Sequence, residues 1–197
     1  MVLTAKQQVK RVIKQSSTDF KKYVWPKIKH EFDDSKLITL ENTIDGSVAK
    51  YLDKMAGVDA LLLKNRSIQT VATRIQYDFA YNSFSIRIEQ EEYDYDIEYQ
   101  KRSKEIENNY LSPKFTIQAY LSKNNNFLSC AIIKTKDLVN FIKNNKQAES
   151  REKYQNDYNS FGYYLQDYTN QFQQEGKFAV VEWKKLESEG VDITIIK

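Results

Sequence analysis

Four side chains in the first half of the chain have the types and spacing for phosphate chemistry: Glu41, Asp59, Arg74 and Gln76. Asp59 stands just before the apolar run Ala60-Leu61-Leu62-Leu63. Arg74 and Gln76 fall two apart in Ala72-Thr73-Arg74-Ile75-Gln76-Tyr77-Asp78. Side chains alternate along a strand, so Ala72, Arg74, Gln76 and Asp78 share one face, and a hairpin would bring Asp59 against them. A divalent cation such as Mg²⁺ or Mn²⁺ takes oxygen ligands, commonly one or two carboxylates with waters and phosphate oxygens, which Asp59 and Glu41 offer. Arg74 and Gln76 would orient a water or stabilise charge developing on phosphate. Each residue also has a structural reading. Asp at a strand start serves as a turn or cap residue, and an acid near a helix start is favoured by the helix dipole. Arg74 can simply pair with Asp59 or Glu41, and Gln76 and Asp78 suit half-buried strand positions.

Any chemistry must come from carboxylates, amides, cations or hydroxyls, because thiol and imidazole groups are almost missing. A single cysteine (Cys130) and a single histidine (His30) exclude an intramolecular disulfide, a Cys/His zinc cage and a catalytic Cys–His pair. Cys130, in an apolar strand, reads as inert core, and His30, between Lys29 and Glu31, as a surface residue. The 197 residues are 41% hydrophobic and 13% aromatic, enough for one folded domain and too apolar for disorder. No apolar run approaches the ~18 residues of a membrane span, and the start lacks the apolar core of a secretory signal. A cytoplasmic location without membrane contact is the expectation.

The net charge of +3 hides a strong polarity. Residues 1–30 carry eight Lys or Arg against one acid, residues 31–100 seven against fourteen, and residues 101–153 eleven against five. Such a basic arm predicts an anionic partner. Lys10, Arg11 and Lys14 on the first helix, with Arg87, Lys134 and Lys136 on later strands, are the candidate phosphate contacts; solvated surface positions are the alternative for each. The apolar stripe of the first helix lacks the bulky face needed to enter a membrane. Residues 89–98 hold six acids and no base. They read as a solvated loop or strand edge, or as a mimic of nucleic acid for a protein partner. The tyrosine-rich stretch 154–168 offers rings for base stacking or a half-exposed packing face.

The periodicity predicts the elements that must carry these residues. An amphipathic helix spans 5–23, interrupted near Ser17-Thr18, with Thr18 or Asp19 capping a second short helix that meets Pro26. Lys36–Leu40 is a strand, and 46–56 a helix stopped by Gly57. Strands follow at 58–63, 68–79 and 84–88, then a charged helix over 99–110. Strands 115–121 and 127–134 flank a Lys123-Asn124-Asn125-Asn126 turn. A short helix covers 137–143, and strands return at 178–183 and 191–196. The order predicts an α/β (α+β) domain: a central mixed β-sheet flanked by helices, with a basic helical arm (1–35), a core (36–143) and an extension (144–197) returning to the sheet.

Here the chain resembles the PD-(D/E)XK, or restriction-endonuclease-like, nuclease superfamily. Its members place an acid on a first helix, an Asp at a strand start, and Glu-X-Lys or Gln-X-Lys on the next strand. Glu41 and Asp59 match the first two positions. At the third the chain has Ala72-Thr73-Arg74, with no acid and Arg in place of Lys. Ile132-Ile133-Lys134-Thr135-Lys136-Asp137-Leu138-Val139 resembles the family's late strand running into a short helix. The resemblance, over about residues 5–143, implies Mg²⁺ held by Glu41 and Asp59 and phosphodiester hydrolysis in nucleic acid, DNA foremost, with Arg74 and Gln76 positioning water and phosphate. The missing acid implies the alternative, an inactive module of this fold that binds DNA or a protein partner; either form is compatible with a homodimer. The segments 52–59, 73–76 and 84–87 also resemble phage or mobile-element proteins.

Overall fold

The computed structural model describes residues 15–40, 48, 51–53, 56–90, 98–145, 150–151, 162–169 and 175–197. Glu41, Lys10, Arg11 and Lys14 lie outside these residues, as do the acidic segment 91–97 and the tyrosines of 154–161.

A six-stranded sheet forms the centre, in the order β1 (Lys36–Thr39), β2 (Ala60–Lys64), β3 (Ser67–Tyr77), β5 (Phe115–Leu121), β6 (Phe127–Lys134), β10 (Ile193–Ile196). β1, β2 and β3 run antiparallel in succession, β5 lies parallel to β3, and β6 returns antiparallel beside β5. The expected mixed sheet with flanking helices is therefore the architecture. Local chemistry sets the tight turns. Lys64 pairs with Ser67, leaving a two-residue loop with Asn65 at a φ of 51°, a left-handed conformation that asparagine tolerates. In the β5–β6 turn Asn125 has a φ of 59°, and Ser122 Oγ accepts the Asn124 and Asn126 N–H groups at 3.3 and 3.1 Å.

One face of this sheet is closed by a helical segment. A π turn (Phe20–Val24), α1 (Trp25–Ile28) and a 3₁₀ turn (Lys29–Phe32) follow without a break. Their side chains Phe20, Val24, Trp25, Ile28 and Phe32 pack on Leu62, Val71, Ile117, Ala119 and Cys130. The expected interruption near Ser17-Thr18 is absent, because Gln15 to Asp19 are already helical. Asp19 makes no side-chain cap; its carboxylate accepts the Tyr77 hydroxyl at 2.8 Å, tying the segment to the end of β3. Pro26 sits in the first turn of α1, where a missing N–H costs nothing. Gly57, at a φ of 62°, turns the chain out of the helix containing Leu52 and Ala56 and delivers Asp59 to the start of β2.

The second half of the molecule adds a four-stranded sheet, β4 (Ser83–Gln90), β9 (Glu175–Glu182), β8 (Tyr163–Thr169), β7 (Ser150–Arg151). Register fixes its two faces. Phe84, Ile86, Ala179 and Val181 enter a core shared with Tyr120, Ala131 and Ile133 of the main sheet. That core also takes Leu138 and Ile142 of α3 (Thr135–Asn144) and Trp183 and Leu186 of α4 (Trp183–Ser188). The other face carries Ser83, Ser85 and Arg87 of β4, Phe178 and Val180 of β9, and Tyr164, Gln166 and Tyr168 of β8. The charged helix α2 (Glu98–Glu107) follows β4 and packs against it. Among the described residues no helix is long and apolar enough to cross a membrane.

Candidate functional site

Polar residues concentrate on the face of the main sheet turned away from α1. Asp59, one position before β2, donates its backbone N–H to the Val71 carbonyl at 2.9 Å, at the end of the β2–β3 pairing. The hairpin expected from the sequence is thus formed. Across the parallel pairing Ala72, Arg74 and Gln76 align with Thr116, Gln118 and Tyr120 of β5. Cross-strand partners share a face, so these side chains form one polar stripe along the middle of the sheet.

Asp59 anchors one end. Its Oδ2 accepts the Thr73 N–H at 2.6 Å. Burial pushes its carboxyl up to about 7, against the pull of that N–H and of the Arg102 charge, with Asp53 and Glu98 raising it further. Arg74 does not pair with Asp59. Its Nη1 donates to the Ser85 carbonyl at 2.6 Å and contacts Ser85 Oγ at 3.1 Å, while Nη2 lies 3.6 Å from Glu98 Oε2. Gln76 Oε1 accepts from Gln118 Nε2 at 3.4 Å. Its partner Gln118 is fully buried.

Glu98, the first residue of α2, is the hub that the sequence did not reveal. Its Oε1 meets Arg102 Nη2 at 2.6 Å, one helical turn away, and its Oε2 accepts the Arg87 N–H at 3.3 Å. Burial acts to raise this carboxyl, but Arg102, Arg74 and the Arg87 N–H outweigh it and hold Glu98 below the ordinary glutamate range. Arg102, itself buried, reaches Thr116 Oγ1 at 3.3 Å, and that hydroxyl shares a bond with Thr135 Oγ1 at 2.9 Å. Glu98 closes the acidic run that reads as a solvated loop. Instead it begins a helix, with its carboxylate turned inward. The signal available was the Glu98–Arg102 spacing of four at a helix start.

Beyond Arg74 the stripe opens into a cleft of about 440 Å³ between the end of β3 and the second sheet. Arg74, Gln76 and Tyr81 line one side, and Gln166, Tyr168 and Phe178 the other. The Arg74 guanidinium lies 5.0 Å from the Phe178 ring centre, and that ring lies 4.5 Å from Tyr168. Arg87 stands 5.6 Å from Phe178 and 5.8 Å from Tyr168. Tyr168 comes this close because its cross-strand partner is Gly176, where a Cβ would fall 2.6 Å from the Tyr168 hydroxyl. β8 was hidden in the sequence within a stretch that reads as polar and tyrosine-rich.

Lys134 and Lys136 stand elsewhere. Lys134 ends β6 opposite Phe115, far along the strands from Gln76, and pairs with Asp192 at 2.9 Å. Lys136 belongs to α3, so the two do not share a strand face. Cys130 is buried with its thiol pushed up by desolvation, as inert as expected. His30 is exposed beside Glu31 at 3.0 Å.

Among the described residues no group of three or more His, Cys, Asp or Glu side chains is placed to hold a metal. Both Glu98 oxygens are committed to arginine and amide donors, which leaves Asp59 with one spare oxygen, and Glu41 lies outside the described residues. No protein-family model, curated protein or solved structure matches the chain.

Proposed function

We propose that this chain is a nucleic-acid-binding domain of nuclease-like layout, whose Asp59–Arg74–Gln76 face engages the strand without hydrolysing it. The layout rests on the hairpin that sets Asp59 at the start of β2 and Arg74 on the next strand, the positions the family resemblance assigns. The observation that carries the reading is the state of Arg74. A cation that orients an attacking water must present open N–H groups to that water and to the phosphate. Arg74 is instead fixed by Ser85, Glu98 and Phe178 at the wall of a cleft, where a held guanidinium suits recognition. Gln76, the other residue assigned to water, is bonded to Gln118. The basic first thirty residues add an electrostatic contact to the backbone, so affinity falls steeply with salt.

The test is incubation of the full chain with labelled single- and double-stranded DNA and RNA, with and without Mg²⁺ or Mn²⁺. The expected result is salt-sensitive retention of intact nucleic acid. Metal-dependent cleavage that Asp59→Asn abolishes in a folded protein would restore the hydrolytic reading. Absence of retention at low salt would remove nucleic acid as the partner.

A further inference from the structure

The cleft between β3 and the second sheet has a composition that selects its occupant. Among the described residues lining it there is no carboxylate, and the single formal charge is that of Arg74. Phe178 and Tyr168 supply ring surface. Gln166 supplies an amide that both donates and accepts, Gln76 keeps its Nε2 donor beside the Oε1 bonded to Gln118, and the Ser83 and Ser85 hydroxyls in the wall are bonded to Tyr120 and Arg74. At about 440 Å³ it falls within the ~300–1,000 Å³ of small-ligand sites and is far too small for a duplex. At its mouth the β3–β4 turn presents Tyr81, about half exposed at 51%, and Phe79, at 63%, with ring centres 6.4 Å apart. Tyr81 meets the buried Tyr120 edge-on at 6.2 Å, yet about half of its ring and most of Phe79 stay in water at the rim of the cleft.

We infer that this cleft receives one unstacked nucleobase of a single strand, with the neighbouring nucleotides passing over Tyr81 and Phe79. The inference rests on the nucleic-acid reading above and names its substrate class. A base has a flat π-face that stacks on aromatic rings or on a guanidinium plane, and edges that bond amides, while its phosphate carries the negative charge that Arg74 and Arg87 favour. A cationic ligand would be repelled by Arg74, and a purely apolar one would leave the Gln166 amide unmet. A duplex keeps its bases stacked and out of reach, so single strands are the preferred form.

The experiment titrates the full chain into a 12-nucleotide DNA strand containing 2-aminopurine, into its RNA equivalent, and into the same sequences as duplexes, following anisotropy and 2-aminopurine emission. Binding of the single strand at least tenfold tighter than the duplex, with emission quenched by stacking, is expected. Tyr81→Ser, a change at a half-exposed turn residue, should weaken single-strand binding about tenfold while leaving the melting temperature within a few degrees. Gln166→Leu should alter which base is preferred at the quenched position. Equal affinity for duplex and single strand, unquenched emission in the bound state, or wild-type affinity in Tyr81→Ser would overturn the base-site inference while leaving nucleic-acid binding intact. Binding to none of the probes would overturn both.

Discussion

On one face of the six-stranded sheet Leu62, Val71, Ile117, Ala119 and Cys130 are sealed beneath Phe20, Val24, Trp25 and Ile28. On the other, Asp59, Arg74, Gln76, Thr116 and Gln118 look toward α2 and the second sheet. The same strands supply both faces, because alternation sends every second side chain each way. The first face needs only volume and apolar surface. The second holds charges that must each find a partner, since a buried unpaired charge is far costlier than a buried methyl group. Apolar residues could cover that face about as stably as an ion network does. Its polarity is therefore not required for stability, and it ends in the cleft to which the proposed binding is assigned.

Mutations should separate the two faces, first by size and then by pH. The largest effect belongs to Arg102→Ala, which strips Glu98 of its closest cation and should cost about 3–5 kcal/mol by denaturant unfolding at pH 7. That deficit should shrink below the ordinary glutamate range, near pH 4.5, as Glu98 takes a proton in the variant. Ile117→Ala on the apolar face should cost about 2–5 kcal/mol and show no such pH dependence. Equal pH behaviour of the two variants would erase the distinction.

Asp59 gives the next effect, with opposite sign. Its folded carboxyl is raised to about 7 from an ordinary 3.8, so burial favours the protonated form and stability falls as pH rises between those values. Asp59→Asn should match the wild type near pH 4 and exceed it at pH 8 by on the order of 2 kcal/mol. Parallel melting curves for the two proteins from pH 4 to pH 8 would contradict that assignment. Smaller again, Gly176→Ala would place a methyl 2.6 Å from the Tyr168 hydroxyl and 2.7 Å from the Glu89 carbonyl. It should cost about 1–2 kcal/mol and weaken single-strand binding by displacing that ring. Lys134→Ala, at an exposed pair with Asp192 remote from the cleft, should change neither melting temperature nor binding.

What the sequence made legible is mostly local. The Asn65 and Asn125 turns, the Gly57 stop and the β5–β6 hairpin follow from short-range chemistry, and so does the approach of Asp59 to β3. The extent of α2 and α3 also lies close to the periodic pattern. Non-local choices were hidden. Nothing near Phe84 or Tyr163 announces that β4 and β8 leave for a second sheet, because joining it depends on β9 nearly a hundred residues after β4. Glu98 sits in an acidic run that resembles a solvated loop until α2 begins and turns it toward Arg74 and Arg102. The pairing of Arg74 with Glu98 rather than Asp59 follows from that same turn. The aromatic wall of the cleft was masked because Tyr168 and Phe178 come from different strands.

The central claim is that the polar face recognises a single strand and leaves it whole. Its most direct test is gel analysis and filter retention, in one sample with Mg²⁺, of an end-labelled single strand incubated with wild type and with Tyr81→Ser. The account predicts full-length strand retained by the wild type, released as salt rises, and retained about tenfold less tightly by the variant. Shortened products in the wild-type lane that vanish with Asp59→Asn, or retention that Tyr81→Ser leaves unchanged, would contradict it.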